Sequence, residues 1–141
     1  MRAEDGDVIE LTARIAAVIV EHARKEAPLE ACGLLAGRDG RALRYYAMTN
    51  ADRSPEHFSM LPEEQFAAAK DMRARGLELI AICHSHPATP ARLSDEDLRL
   101  ALMPGAVHIV ISLLDPSRPE VRGFRVDGGR PEEQSIKVTQ E

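Results

Sequence analysis

Apolar residues along the chain recur with two different periods. Leu11, Ile15, Val18, Ile19 and His22 recur at three- and four-residue steps (11 to 15, 15 to 18 and 19, 18 and 19 to 22), the period of a helix packed along one face, and they predict a first helix over residues 9–25. After Ala27-Pro28, the apolar run 31–36 is closed by Gly37, and a second run, 42–48, follows Gly40; together they predict two antiparallel strands. Residues 49–59 are polar, contain Asn50, Pro55 and His57, and read as a loop. A second helix is expected to open at Pro62, with Glu63 and Glu64 at its positive end, and to stop at Gly76. Residues 77–84 are almost unbroken in their apolar character, the mark of a central strand covered on both faces. A loop at 87–93 precedes a short helix expected from Ser94 to about Leu102, which Pro104-Gly105 ends. Strands are expected at 106–114 and 121–126, and Asp127-Gly128-Gly129 turns the chain toward a last one at 135–138. This order of elements predicts an α/β (α+β) fold, a mixed central β-sheet flanked by helices.

The length of 141 residues, 44% hydrophobic and 29% charged, fits one domain spanning 1–141 with a single substantial core. With five histidines and only two cysteines, counting excludes a four-cysteine zinc ribbon, a four-thiolate iron–sulfur cluster and a disulfide-stapled module. Any metal must then be held by histidine and carboxylate. A formal charge of -5, with no run of lysine or arginine longer than two, provides no electrostatic footprint for a phosphate backbone, so nucleic acid is not an expected partner. The first ten residues carry four acids and one arginine, unlike a secretory signal. The most apolar stretch of the first helix, 15–20, falls far short of the roughly 20 residues that cross a bilayer. A cytoplasmic protein is expected, in which Cys32 and Cys83 stay unpaired.

Residues 84–97 read His-Ser-His-Pro-Ala-Thr-Pro-Ala-Arg-Leu-Ser-Asp-Glu-Asp. Side chains alternate across an extended chain, so His84 and His86 share one face at the end of the central strand and Ser85 turns away. Seven residues then allow the chain to return and set the first turn of the next helix, with Asp97, above the histidines. Two imidazoles and one carboxylate leave a tetrahedral zinc one open position, as in a catalytic site. Each part also has an ordinary meaning: His-X-His is common in strands, and Ser94-X-X-Asp97 is a helix capping pattern. His22 and His108 read as packing residues, while His57 has no assigned role. Tyr45, Tyr46 and Phe58 either line a substrate groove or pack the sheet.

The combination is more specific than its parts. His84-X-His86, seven residues and Ser94-X-X-Asp97, with an upstream acid in Pro28-Leu-Glu30-Ala-Cys-Gly, resembles the JAMM motif of MPN-domain metalloproteases. The resemblance implies an MPN/cytidine-deaminase-like architecture and one Zn2+ per chain, held by His84, His86 and Asp97. It also implies that Glu30 activates the metal-bound water and that Ser94 helps to stabilise the tetrahedral intermediate. A carboxylate beside such a water can take its proton and return it to the leaving amine, and Ser94 would supply one donor to the oxyanion. Two positions depart from the family pattern: Cys83 where an aromatic residue commonly precedes the first histidine, and Leu93 where proline commonly precedes the serine. Neither departure removes a ligand, and alternation turns Cys83 away from the zinc position into the core.

Short single-domain bacterial relatives of this kind look like peptidases acting on the carboxyl-terminal tail of ubiquitin-like sulfur-carrier proteins. The implied activity is hydrolysis of a peptide or isopeptide bond there, with the tail held in extended form at a sheet edge. Two other readings are weighed. A non-haem iron site also uses two histidines and a carboxylate, but usually with the acid between the histidines, and it has no use for Glu30 and Ser94. A non-catalytic MPN scaffold that only binds partners typically lacks motif residues that are all present in this sequence. Cytidine-deaminase chemistry itself needs a Cys-X-X-Cys pair that this chain does not contain.

Overall fold

The computed structural model describes residues 8–94, 97 and 106–140. Within them the chain runs β1 (Val8–Thr12), α1 (Ala13–Glu26), β2 (Cys32–Arg38), β3 (Arg41–Met48), α2 (Pro62–Arg75), β4 (Glu78–His86), β5 (Ala106–Ser112), β6 (Glu120–Asp127) and β7 (Arg130–Thr139). The expected mixed sheet flanked by helices is present, and it closes on itself into a barrel of order β1-β3-β2-β4-β5-β6-β7. The strand β1 makes the closure, running parallel to β7 from Val8↔Ser135 to Thr12↔Thr139 and touching β3 at Glu10↔Arg41.

That closure corrects one expectation. Residues 9–12 are strand, and the first helix begins at Ala13. Ile9 and Leu11 are both buried, two residues apart, which is the period of a strand. Thr12 then caps the helix by accepting a hydrogen bond from the Ile15 amide at 3.1 Å. The second helix is as expected, with Pro62 in its first turn, Glu63 and Glu64 beside it, and Gly76 ending it in left-handed conformation at φ 69°. The strands predicted at 31–36, 42–48, 77–84, 106–114 and 121–126 are all found. The last one is longer than expected, since it borders two neighbours, β6 and β1. The helix expected between Ser94 and Leu102 lies outside the described residues except at Ser94 and Asp97.

Alternation along β2 and β4 sorts their side chains onto two faces. Leu35, Ala81 and Cys83 pack with Ile19 and Ala23 of α1. Cys32, Leu34 and Ala36 pack with Ala68 and Met72 of α2, joined by Ile82 and Phe58. Cys32 and Cys83 therefore point into opposite layers, and both are free thiols. Burial, followed by the nearby charges of Glu64 and Glu30, pushes the Cys32 thiol up to about 12, and burial raises Cys83 as well. Both stay protonated at neutral pH and are poor nucleophiles.

The strands β4 and β5 are parallel neighbours, so the chain must travel back along the sheet between them. The chain leaves β4 at the end where the two histidines stand, and Ser94 and Asp97 lie over the same end.

Candidate functional site

His84 and His86 occupy the last turns of the β4 pleat, on the face shared with Cys32 and Ile82. Glu30 lies two residues before the start of β2, whose first residue Cys32 is paired with His84. It is held there by backbone bonds: its amide donates to the Ser54 carbonyl at 2.9 Å, and its carbonyl accepts from Asn50 Nδ2 at 3.0 Å. One residue on, the Ala31 amide donates to Ser85 Oγ at 2.7 Å, and the Ser85 amide donates to the Ala31 carbonyl at 2.9 Å. The side chain that turns away from the histidines thus clips Glu30 against their strand.

The result is a buried group of three potential ligands. Glu30 is 2% exposed, His84 1% and His86 5%, and one ligand atom from each lies within 4.8 Å of the others. Glu30 Oε1 stands 3.7 Å from His84 Nδ1, too far for a hydrogen bond. Glu30 Oε1 and both His84 ring nitrogens have no hydrogen-bond partner, a costly state for buried polar atoms unless a cation engages them. Phe58 stacks on the His84 ring at 5.0 Å between centroids and fixes its plane.

His86 argues the same way. Its Nδ1 is 3.0 Å from the Pro90 carbonyl oxygen, which only accepts, so Nδ1 carries the proton. In the neutral ring, Nε2 then presents a lone pair to Asp97 Oδ2, 3.2 Å away. Two acceptors face each other there unless a positive charge lies between them, and a metal ion is one such charge. In the metal-free chain a proton serves instead: burial opposes the charged imidazole, but the Asp97 and Pro90 hydrogen bonds outweigh it and raise the His86 pKa. Burial likewise opposes charge on Asp97, yet the His86 hydrogen bond, the His84 charge and the Ser94 amide bring it down to about 2.

Asp97 and Ser94 form the reciprocal cap that their spacing suggested. The Ser94 amide donates to Asp97 Oδ2 at 2.9 Å, and the Asp97 amide donates to Ser94 Oγ at 3.0 Å. The hydroxyl hydrogen of Ser94 remains available to a ligand. A cavity of about 500 Å³ opens beside these groups, lined by His86, Thr89, Pro90, Arg92, Leu93 and Ser94.

All five residues singled out by spacing therefore stand around the end of β4. The compact ligand group contains Glu30 with the two histidines, and Asp97 adjoins it through His86. Sequence reasoning missed the supporting residues. Asn50 is buried and ties its loop together, donating to the carbonyls of Glu30, Ser54 and His57 while its Oδ1 accepts from the Asp52 and Ser59 amides. Its only sequence signal is an asparagine in a loop that follows a strand. His108 is buried as expected, but neither ring nitrogen has a partner, and its centroid is 6.2 Å from that of His84. Burial and the neighbouring His84 charge lower its pKa to about 4, so it is neutral at physiological pH. His22 bonds the Tyr45 hydroxyl at 2.8 Å within the core layer, whereas His57 pairs with Asp52 at 2.9 Å in its loop. Tyr45 packs the sheet, and Phe58 reaches the site.

Comparison with known proteins places this geometry in a family. The sequence profile described as prokaryotic homologs of the JAB domain matches residues 12–127. The chain is 37% identical over 136 residues to the CysO-cysteine peptidase of Mycobacterium tuberculosis, covering 95% of this chain and 93% of that protein. Its fold superposes on the solution structure of protein DSY2949 from Desulfitobacterium hafniense with a TM-score of 0.88 at 45% identity, covering 94% of both chains. A JAB1/MPN domain protein from Archaeoglobus fulgidus, AF2198, shares the fold at a TM-score of 0.64 and 21% identity, covering 93% of this chain and 97% of that one. With the profile spanning most of its length and its barrel shared with a JAB1/MPN domain, the chain belongs to the prokaryotic JAB family.

Proposed function

We propose that this chain, as one domain spanning 1–141, is a zinc-dependent peptidase that hydrolyses a peptide or isopeptide bond at the carboxyl-terminal tail of a ubiquitin-like sulfur-carrier protein. The observation that carries the reading is the buried group of Glu30, His84 and His86 with its unpartnered Oε1, Nδ1 and Nε2 atoms. The likeness to a CysO-cysteine peptidase along almost the whole chain supports the substrate class. Imidazole and carboxylate suit zinc, and His84, His86 and Asp97 would hold one ion per chain. When bound, zinc would acidify a water molecule and polarise the scissile carbonyl.

The chain's own residues supply the remaining steps. Glu30 Oε1, free of competing donors, takes a proton from the attacking water and returns it to the leaving nitrogen. Ser94, its Oγ already accepting from the Asp97 amide, turns its O–H toward the oxyanion. The Pro90 carbonyl holds His86 in the Nδ1–H tautomer, which keeps Nε2 as the ligand atom. Burial of Glu30 and His84 excludes bulk water from the reacting centre. A cytoplasmic setting is consistent with two buried free thiols.

One observation favours a second assignment of Glu30. It sits with both histidines inside the compact group, so it would bind the metal directly, giving two histidines and a carboxylate as in iron sites. Metal analysis of purified wild type, His84→Ala, Asp97→Ala and Glu30→Gln separates the readings. Stoichiometric zinc in wild type and Glu30→Gln, lost in the other two, supports Glu30 as base. Loss of metal in Glu30→Gln, or retained iron, supports the second assignment. Incubation with the same organism's carrier protein extended at its carboxyl terminus tests the activity. An intact substrate with wild type, or equal cleavage by Glu30→Gln, rejects the peptidase mechanism.

A further inference from the structure

Among the described residues the cavity beside His86 and Ser94 is lined by one cationic side chain, Arg92, and none of the proposed catalytic steps uses it. Its backbone is tied to the site through a single atom. The Pro90 carbonyl oxygen accepts from His86 Nδ1 at 3.0 Å and from the Arg92 amide at 2.9 Å. The loop alternates around that anchor: Ala91 is 1% exposed and packs with Val110 and Phe124, Leu93 joins the same cluster, and Arg92 and Ser94 face outward on either side of Leu93. Arg92 is thus presented by a fixed loop, two residues from the proposed oxyanion donor. Among the described residues the ion pairs fall elsewhere, and no carboxylate engages its guanidinium. A guanidinium with no carboxylate partner among the described residues, at the rim of the proposed hydrolytic pocket in a chain of net charge -5, is matched to an anion on the substrate.

We propose that Arg92 is a specificity-determining residue that binds the free α-carboxylate of the residue leaving the carrier tail. The inference rests on the peptidase reading above and sharpens it. On the acyl side of the scissile bond the tail continues into the body of the carrier, so a terminal carboxylate exists only on the leaving side. A released amino acid or short peptide carries one close to the scissile nitrogen, whereas a lysine-linked target protein does not. Bidentate pairing at Arg92 therefore selects short carboxyl-terminal extensions over isopeptide conjugates.

The test uses the full-length protein with zinc and a carrier protein extended by one cysteine, made either as the free acid or as the carboxamide. Wild type should prefer the acid. In Arg92→Ala the ratio of kcat/KM for acid over amide should fall about 10- to 100-fold, the worth of a charge-assisted contact, mainly through KM, and Arg92→Lys should restore part of it. A second measurement is independent of turnover. In metal-free wild type, titration with glycyl-glycyl-cysteine should shift the Arg92 Nε–Hε resonance, and the amide of that peptide should not. Equal slowing of both substrates in Arg92→Ala, a wild-type ratio near one, or no resonance shift at saturating peptide overturns the inference while leaving the peptidase reading intact. Failure of wild type to cleave either substrate overturns both.

Discussion

Replacing Ser85 by alanine removes one oxygen atom that no solvent reaches and that does not point at the reacting centre. Ser85 is 0% exposed, and its Oγ accepts the Ala31 amide at 2.7 Å. The reciprocal backbone bond from the Ser85 amide to the Ala31 carbonyl survives the change, so the perturbation is a single buried N–H left without an acceptor. Such a group costs about 1–3 kcal/mol. For a chain of 141 residues, about 3–5 °C of melting temperature accompanies each kcal/mol, so a loss of about 5–10 °C is expected near the middle of the range. The melt should be recorded with chelator present, because a bound metal would add its own binding free energy to the folded state. Ser117→Ala is the control: among the described residues its hydroxyl bonds the exposed Asp115 alone, and the expected change is within about 0.5 kcal/mol. Activity should fall more steeply than stability. The lost bond fixes the residue next to Glu30, the proposed base, and a displacement of about 1 Å at a group in that role costs on the order of 10²-fold in rate. A Ser85→Ala melt that coincides with the Ser117→Ala melt, with full turnover, would refute the idea that this hydroxyl positions Glu30.

Four further outcomes are expected. In the metal-free protein, Asp97 holds a pKa of about 2 against 3.8 when unfolded, and the His86 value is raised above 6.5; their contribution is complete between those unfolded values, declines below pH 3.8 as Asp97 protonates, and is lost as pH rises through the folded value of His86. The gap in melting temperature between wild type and Asp97→Asn should therefore be widest near pH 5, and a gap independent of pH contradicts the pairing. His108, at about 4 against 6.5 unfolded, carries no titration cost above pH 6.5 and destabilises the fold progressively as pH falls from 6.5 toward 4; His108→Leu should flatten that acid limb in denaturant titrations and leave neutral stability unchanged or raised, since it removes two unpartnered nitrogens. Gly37→Ala would drive a Cβ into the Arg41 backbone carbonyl at the β2–β3 hairpin, and a loss of about 1–3 kcal/mol or more is expected by chemical denaturation. Arg122→Ala should change stability by no more than about 1 kcal/mol, because its partner Glu133 is solvent-exposed.

The shared face of the two histidines and the Ser94–Asp97 cap were legible because their spacing is local. His84 and His86 follow from the two-residue repeat of a strand, and Ser94 with Asp97 from the first turn of a helix. What supports them was not legible, because it depends on partners distant in the chain: Ser85 meets Ala31 across 54 positions, and Asn50 meets Glu30 across 20. The start of the first helix is hidden in the sequence for a different reason. Leu11 and Ile15 are four apart, as a helix requires, yet Leu11 belongs to β1 and Ile15 to α1. The helical period runs by coincidence through the cap at Thr12, and pairing with β7, more than a hundred residues away, decides in favour of strand. His108 shows a third kind of limit. A histidine in an apolar run reads as packing, and only the neighbouring strand reveals that it lies beside His84.

The partnership of β1 with β7 also bears on how the chain is made. Val8 pairs with Ser135, and the Thr139 hydroxyl donates to the Leu11 carbonyl across 128 positions. A ribosome delivers the first strand long before its partner exists, so β1 must wait, with apolar Ile9 and Leu11 uncovered on that side, until β7 has cleared the exit tunnel. Closure over so large a loop is slow. A nascent or truncated chain ending before β7 would display two open sheet edges, those of β1 and β6, and each is a template for pairing with another copy. A stop codon near position 130, which removes β7, would therefore be expected to yield aggregates in place of a weakened, folded protein.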